Sequence, residues 1–246
     1  MEATTLMATH AIRLVRRATV AEGTIAVWFS RPDGFRHRAG QSVLMTLINP
    51  PETDSMGDSR TFTIASAPGE AELMIATRIR NTAFKRVLLN APAGMKAQID
   101  GPDGDMVLHE DAARPAVFLA GGIGITPFLS MARAAASERL PHRLYLFYAN
   151  RRPEDAAFLS ELQAMEQANR NFRLITVMAE PEKSQQRWTG ETGYIRRELL
   201  ERHLPDVKSP VYYLAGPPAM SMAMQRMLAD MGIAESSLRH EEFYGY

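Results

Sequence analysis

Residues 116–128 read Ala-Val-Phe-Leu-Ala-Gly-Gly-Ile-Gly-Ile-Thr-Pro-Phe, and this stretch constrains the fold more than any other part of the chain. The apolar run Val117 to Ala120 reads as a buried strand. Gly121, Gly122 and Gly124 follow at once, and a helical pattern then places Phe128, Leu129, Ala132, Ala135 and Ala136 on one face. Thr126 suits an N-cap, and Pro127 suits the first helical position, where its missing N–H costs nothing. Strand, glycine turn and helix start together form a phosphate cradle: the glycines let the backbone come close, and the helix end offers free N–H groups and partial positive charge. The spacing is not the G-x-G-x-x-G of the common dinucleotide fingerprint. An ordinary tight turn between strand and helix would account for the stretch taken alone, so its surroundings decide its meaning.

Downstream, strand-like and helix-like segments alternate. Val117–Ala120, Leu144–Tyr148, Phe172–Val177 and Val211–Leu214 read as strands. Pro127–Arg139, Ala156–Gln167, Tyr194–Leu204 and Pro218–Met231 read as helices, the last with a stripe of Met220, Met224, Met227 and Met231 that suits core packing. Such alternation predicts a doubly wound parallel sheet. Upstream the rhythm differs. Short β-like runs, among them Ser42–Ile48, Arg60–Ser66, Leu73–Ile79, Lys96–Ile99 and Met106–Leu108, are cut by Gly23, Pro32-Asp33-Gly34, Ala67-Pro68-Gly69 and Gly101-Pro102-Asp103-Gly104. This rhythm predicts a sandwich or a barrel, and an antiparallel β-barrel interrupted by one helix, Ala83–Leu89, is the expected form. The expected organisation is an α+β chain of two domains, residues 7–112 and 113–246, joined near Asp111–Pro115.

Composition narrows the chemistry. With 28 basic and 28 acidic side chains in 246 residues, no global field recruits nucleic acid or an anionic membrane. Arg13, Arg16, Arg17, Arg36 and Arg38 nevertheless concentrate positive charge near the start, either as a solvated face or as a steering surface for an acidic partner. No transmembrane segment is expected, because the longest apolar-looking run, Ala116–Met131, is broken and falls short of the ~20 residues a span needs. No signal peptide is visible in Met1–His10, so the cytoplasm is the expected compartment. The chain has no cysteine, which excludes disulfides, thiolate metal sites, Cys-ligated iron–sulfur clusters and a catalytic thiol. Six scattered histidines offer no metalloprotease-like pairing, so no metal site is expected and any redox chemistry must come from a bound organic cofactor.

Four motifs in order resemble the ferredoxin–NADP reductase superfamily of flavoproteins, over nearly the whole chain. Arg60-Thr61-Phe62-Thr63 is similar to that family's Arg-x-Tyr-Ser/Thr strand, and Gly40-Gln41 to the glycine turn before it. The resemblance implies that Arg60 pairs with the flavin pyrophosphate, Phe62 lies against the isoalloxazine or ribityl chain, and Thr63 offers its hydroxyl toward the flavin N5 edge. Phe62 stands where tyrosine is usual, which removes one hydroxyl. Asn81-Thr82-Ala83-Phe84-Lys85 resembles the turn and helix start placed against the flavin phosphates, with Lys85 in place of the usual Ser or Thr. Gly121-Gly122-Ile123-Gly124-Ile125-Thr126-Pro127 resembles the nicotinamide nucleotide turn. Ala215-Gly216-Pro217-Pro218-Ala219-Met220 is similar to Cys-Gly-x-x-x-Met beside the nicotinamide, with Ala215 replacing the cysteine. In relatives a terminal Glu-x-aromatic puts an acid near the nicotinamide and the aromatic on the flavin, here Glu241 and Phe243, with Tyr246 close behind.

The resemblance thus implies an FAD-dependent enzyme, FMN being the second choice, with NAD(P)H as co-substrate. Hydride would pass to the flavin and electrons leave to a separate acceptor, a soluble protein such as ferredoxin or flavodoxin, or a small molecule. Thr63, Glu241 and Ala215 are the expected residues beside the reacting rings. The expected cofactor contacts are Arg60, Thr61, Phe62, Thr63, Thr82, Ala83, Phe84, Lys85, Gly121, Gly122, Gly124, Ile125, Thr126, Arg151, Gly216, Pro217, Phe243 and Tyr246. A flavin reductase or diaphorase acting on small molecules, and a redox module of little turnover that binds a partner, remain open. NADP-specific relatives carry a Ser-Arg pair after the third strand of the nucleotide domain; here Met178-Ala179-Glu180 follow, which favours NADH. Arg151 and Arg152 weigh on the other side.

Overall fold

The computed structural model describes residues 8–242. The chain first builds an antiparallel sheet of six strands: β1 (Thr9–Ala21), β2 (Thr24–Ser30), β3 (Ser42–Leu47), β4 (Ser59–Thr63), β5 (Glu72–Arg78) and β6 (Lys96–Asp103). Their spatial order is β4-β3-β6-β1-β2-β5. β1 is long enough to serve two neighbours in turn: Thr9 to Arg13 pair with β6, and Leu14 to Ala21 pair with β2, with a register shift between Leu14 and Arg16. That shift lets the strand bend and curl the sheet. The outermost strands come together where the Ala65 N–H, just past β4, donates to the Met74 carbonyl of β5 at 2.7 Å. The inward side chains, among them Ile12, Leu14, Val27, Phe29, Val43, Met45, Ile75 and Ile99, form one buried cluster, to which α1 (Ala83–Asn90) adds Phe84, Val87 and Leu88.

The sequence reading of 101–108 needs correction. Gly101-Pro102-Asp103 does not turn the chain; it completes β6, and Met106–Leu108 forms no strand. Pro102 is tolerated because the pairing of β3 with β6 is irregular between Ser42 and Leu44, and proline enters sheets at such bulges. Past the sheet, the carbonyl of Val107 accepts from the Arg239 guanidinium rather than from a neighbouring strand.

The second sheet is parallel, in the order β10-β9-β8-β7-β11-β12. Its strands are β7 (Ala116–Gly121), β8 (Leu144–Asn150), β9 (Phe172–Met178), β10 (Glu191–Thr192), β11 (Val211–Gly216) and β12 (Leu238–Glu242). β7 and β11 are buried along their whole length, as their apolar runs require of central strands covered on both faces. Alternate residues of β7 and β11 enter two clusters. Phe118, Ala120, Tyr213 and Ala215 pack with α2 (Ile125–Ser137) and with Leu162 of α3 (Leu159–Ala168). Val117, Leu119, Tyr212 and Leu214 pack with α4 (Arg197–His203) and α5 (Pro218–Asp230), where the methionine stripe is found. The first of these clusters also takes in Ala26, Ala65, Met74 and Met106, so one continuous apolar body joins the two sheets.

Helix starts differ from the sequence reading in three places. α2 begins at Ile125 with Gly124 as N-cap, so Thr126 and Pro127 lie inside its first turn, and the Thr126 hydroxyl donates to the Ile123 carbonyl at 3.2 Å. A 3-10 turn over Gly122–Gly124 supplies the first bend that Thr126 was expected to cap. α3 starts at Leu159 because Phe158 takes a left-handed conformation, and α4 is confined to Arg197–His203. No helix among the described residues is long and apolar enough to cross a membrane.

Candidate functional site

In the parallel sheet, successive strands run outward from β7 through β8 to β9, and β11 then returns to the other side of β7. The strand order therefore reverses between β7 and β11, and in open α/β sheets the crevice beyond the strand ends at such a point receives ligands. Both turns that leave this point are glycine turns. Gly121 and Gly216 nearly touch: a Cβ on Gly216 would stand 3.2 Å from the Gly121 backbone. A Cβ on Gly124 would collide with the carbonyl of Ala215, and one on Gly121 with Met220 and Pro217. The third and fourth motifs, far apart in the chain, thus meet as one backbone-lined notch, with Ile125 and Thr126 buried at its helix end and Ala215 buried beneath it. Arg78, at the end of β5, reaches over this notch from the other sheet, its guanidinium 3.8 Å from where a Gly122 Cβ would be. Sequence reasoning missed Arg78, because Arg78-Ile79-Arg80 at a strand end looks like a solvated turn.

Arg60 lies on β4 with its guanidinium 5.2 Å from the Phe84 ring centre, and Phe62 sits 5.7 Å from the same ring. Its Nη1 donates to the Met56, Gly57 and Ser59 carbonyls, while Nη2 is buried with no hydrogen-bond partner among the described residues. Thr82 caps α1, accepting from the Lys85 N–H at 3.4 Å. Burial, together with the cations of Arg80 and Arg60, pushes the Lys85 ammonium below its usual range. Three positive side chains therefore crowd the first turn of α1, where Ala83 and Phe84 are buried. Thr61 is apart from this group: it is exposed and pairs with the exposed Leu44 of β3, on the opposite side of the strand from Arg60 and Phe62.

One further residue enters the α1 site that the sequence reading left inside a polar loop. Asp54 accepts the Ala83 N–H at 2.7 Å and the Met56 N–H at 3.0 Å, and lies 3.8 Å from Arg60 Nη2. The N–H donors, Ala83 first, hold its carboxyl below the usual carboxylate range. Two residues earlier, Glu52 pairs with Arg86 of α1.

Thr63 is buried, and its hydroxyl has no partner among the described residues. It stands opposite Ser42 of β3, and Ser42 stands opposite Asp103 of β6. Asp103 lies close enough to Glu241 of β12 to raise its carboxyl. A row of polar groups thus runs from the antiparallel sheet to the last strand of the parallel one. Glu241 pairs in register with Ala215, its Oε2 is buried without a partner among the described residues, and burial foremost pushes its pKa up to about 7. It borders a cleft of about 600 Å³ that Asp105, Met106, Arg239 and His240 also line. Phe243 and Tyr246 lie outside the described residues.

At the outer end of β8, Arg151 is exposed, whereas Arg152 is fixed by Asp155 and by Glu22 of the linker between β1 and β2. Gly216 and Pro217 lead into α5, with Pro217 as its N-cap. No group of three or more His, Cys, Asp or Glu that could hold a metal ion occurs among the described residues.

Residues 118–226 match the family model of the oxidoreductase NAD-binding domain. Among curated proteins, the chain is 27% identical over 245 residues to the reductase component of glycine betaine monooxygenase from Chromohalobacter salexigens, covering 96% of this chain and 64% of that one. It is 29% identical over 162 residues to one component of the Na(+)-translocating NADH-quinone reductase of Methylococcus capsulatus, covering 64% and 39%. The chain therefore spans less than two thirds of the length of these relatives. Among solved structures, the ferredoxin NADP+ reductase from Neisseria gonorrhoeae with bound FAD and NADP superposes with a TM-score of 0.80 at 21% identity, over 95% of this chain and 98% of that one. The Amycolatopsis cytochrome P450 reductase gives 0.81 at 21%, over 96% and 71%. These likenesses establish the shared fold.

Proposed function

We propose that the chain belongs to the ferredoxin–NADP reductase superfamily and is an NAD(P)H-dependent flavoprotein oxidoreductase that passes electrons to a separate acceptor. Residues 7–112 are the flavin-holding half and 113–246 the nucleotide-holding half. The names of the relatives, a monooxygenase reductase and a component of a quinone reductase, support an electron-delivering role.

The single observation that carries the reading is the pair of unmatched polar atoms on β4. Arg60 offers a buried guanidinium nitrogen and Thr63 a buried hydroxyl, each without a partner among the described residues. Two residues lie between them, three strand steps or about 10 Å along the chain. By strand alternation the two lie on opposite faces of β4, which is the edge of its sheet, so an extended ligand crossing that edge could meet the cation with an anionic group and the hydroxyl with a hydrogen-bonding ring. The residues present fit FAD: Arg60, Lys85 and the α1 N–H groups would hold its diphosphate, Phe62 would lie along it, and Thr63 would meet the ring edge. FAD, when bound, supplies acceptance of two electrons as hydride and their release one at a time.

The chain's own part is positional. The notch of Gly121, Gly122, Gly124 and Gly216 lets the dinucleotide backbone approach, and Thr126 and Ile125 fix the helix end that faces it. Ala215 lines the notch beneath the nicotinamide position with a small apolar surface that keeps water out. Glu241, its carboxyl pKa pushed up to about 7 by burial, stands next to Ala215 and orients the polar side of the site. Hydride transfer needs no strong acid or base of its own, so alignment and exclusion of water are the protein's main contributions. The acceptor is a soluble electron-transfer protein such as ferredoxin or flavodoxin, or a small molecule.

Purification followed by visible spectroscopy and cofactor extraction tests this reading. The expected protein is yellow, releases FAD, and bleaches on addition of NADH or NADPH. A colourless protein that neither FAD nor FMN restores would overturn it. A subsequent screen with ferredoxin, flavodoxin and free flavin separates a protein acceptor from diaphorase activity.

A further inference from the structure

We propose that Asp54 is an internal anion seated at the diphosphate position of the flavin site, so that FAD uptake requires the strap of residues 52–58 to release the N-terminus of α1. This inference rests on the flavin reading above and specifies how that site is regulated. The hydrogen bond that Asp54 accepts from the Ala83 N–H is one a phosphate oxygen would make, and Asp54 stands within ion-pair range of Arg60 Nη2 without hydrogen-bonding to it. One carboxylate oxygen of Asp54 takes the Ala83 N–H at 2.7 Å, and the other faces Arg60 Nη2 at 3.8 Å while accepting Met56 N–H at 3.0 Å. Carboxylates and phosphates compete for the same helix-end donors and the same guanidinium. They cannot share them closely, because like charges a few ångströms apart repel.

The strap is built to be held and to be released. Glu52 clips it to Arg86, and Arg60 Nη1 grips the Met56 and Gly57 carbonyls, so two cations of the site fasten it from within. Yet little of it is packed. The side chains of Glu52 and Asp54 retain 40% and 29% of their exposure, Met56 is 58% exposed, and none of these residues enters an apolar cluster. Gly57 turns the chain at φ +74, with nothing within 4 Å of a would-be Cβ, which makes it a pivot with room to move. Pro50 and Pro51 stiffen the opposite end. The competent, strap-open form is thus a fraction of the unliganded population, and the apparent flavin affinity is reduced by that fraction. A ligand lacking the diphosphate does not contest the Asp54 seat.

The test compares FAD with riboflavin, which shares the ring but carries no phosphate. Flavin-stripped wild type and Asp54→Asn are titrated with each ligand by fluorescence at one ionic strength. The expected result is at least threefold tighter and faster FAD binding by Asp54→Asn, with riboflavin affinity unchanged. FAD binding that is equal or weaker in the variant, or equal tightening for both ligands, overturns the inference while leaving the flavin reading intact. Folded wild type that binds neither FAD, FMN nor riboflavin overturns both. Hydrogen exchange on the wild type provides a second arm independent of the variant: FAD should accelerate exchange at the Met56 amide, and protection there would overturn the strap's release.

Discussion

The two candidate cradles of this protein, each proposed to take a diphosphate, are built of opposite materials. The notch between β7 and β11 is made of backbone: glycines at contact distance and buried strands on both sides. The cradle at β4 and α1 is made of charged side chains, Arg60, Lys85 and Asp54, partly open to water; Arg60 faces Asp54 at 3.8 Å, while the cation of Arg60 weighs against the Lys85 ammonium. Backbone that is packed on both faces cannot rearrange without disturbing the sheet, so the first cradle is preformed. Ion pairs near the surface are individually weak and exchange partners readily, so the second can be switched. The contrast suits the proposed role, in which nucleotide exchanges at every turnover while flavin, once admitted, stays.

The largest expected effect comes from breaking the rigid side. Gly124 has an ordinary φ of −61°, so alanine there is free of backbone strain, but its Cβ would strike the Ala215 carbonyl in a central strand. Overpacking of this kind typically costs about 1–3 kcal/mol, and here it falls on stability and on nucleotide binding together, so its total exceeds that of a single lost contact. Gly124→Ala should lower both the unfolding midpoint and kcat/KM for NADH. Wild-type stability together with wild-type NADH kinetics would show that the notch yields, and the contrast would fail.

Next in size is Arg60→Ala on the switchable side. A charge-assisted contact to phosphate contributes roughly 1.5–3 kcal/mol, so flavin affinity should fall about 10- to 150-fold. The apolar cluster of the antiparallel sheet does not include Arg60, and its far-ultraviolet circular dichroism should therefore persist. Equilibrium dialysis of FAD checks the first statement and a denaturant titration the second.

Glu241 sits where the two halves converge, and its effect depends on pH. Its folded pKa, about 7, lies above the ordinary carboxylate value, so the folded state holds the proton more tightly than the unfolded chain. The stability this provides is complete below about pH 4.5 and is lost as pH rises through about 7. Glu241→Gln should flatten the wild-type decline in unfolding free energy across that window. Parallel pH profiles of wild type and variant would move the responsibility to another group.

The rigid side was largely legible in the sequence. A strand of uniformly apolar residues followed at once by three glycines has few other structural uses, and Ala215-Gly216-Pro217 repeats the logic at the partner strand. What the pattern did not reveal was the exact start of α2, since Thr126 looks like a cap but Gly124 serves as one. The last strand was hidden for a different reason. Arg239-His240-Glu241-Glu242 carries no apolar alternation, because β12 is an edge held by parallel pairing to β11 rather than by burial of both faces. The switchable side was half legible: Arg60 and the α1 turn stand out by resemblance, whereas Asp54 and Arg78 acquire their roles only from folding. Asp54 meets Ala83 across twenty-nine residues, and Arg78 meets Gly122 across two sheets. No local spacing encodes either contact.

The smallest effect concerns which nucleotide the rigid cradle accepts. The Ala179 and Glu180 N–H groups donate to the Asn150 and Arg151 carbonyls, so the chain leaving β9 runs beside the end of β8 and both border the same edge. Of the cations there, Arg152 is committed to Asp155 and Glu22, and Lys183 to Glu180 at 3.2 Å. Arg151 alone of these is exposed with no carboxylate partner among the described residues. Met178 and Ala179 cannot bind a phosphate, and the Glu180 carboxylate, though paired with Lys183, would repel one if it faces the ribose. An acidic residue at such an edge is suited instead to a ribose hydroxyl. NADH should therefore be used at least as well as NADPH, and Arg151→Ala should lower kcat/KM for NADPH more than for NADH. A tenfold wild-type advantage for NADPH, about 1.4 kcal/mol, would mean that a side-chain cation, and not the backbone notch, governs recognition on that side of the molecule.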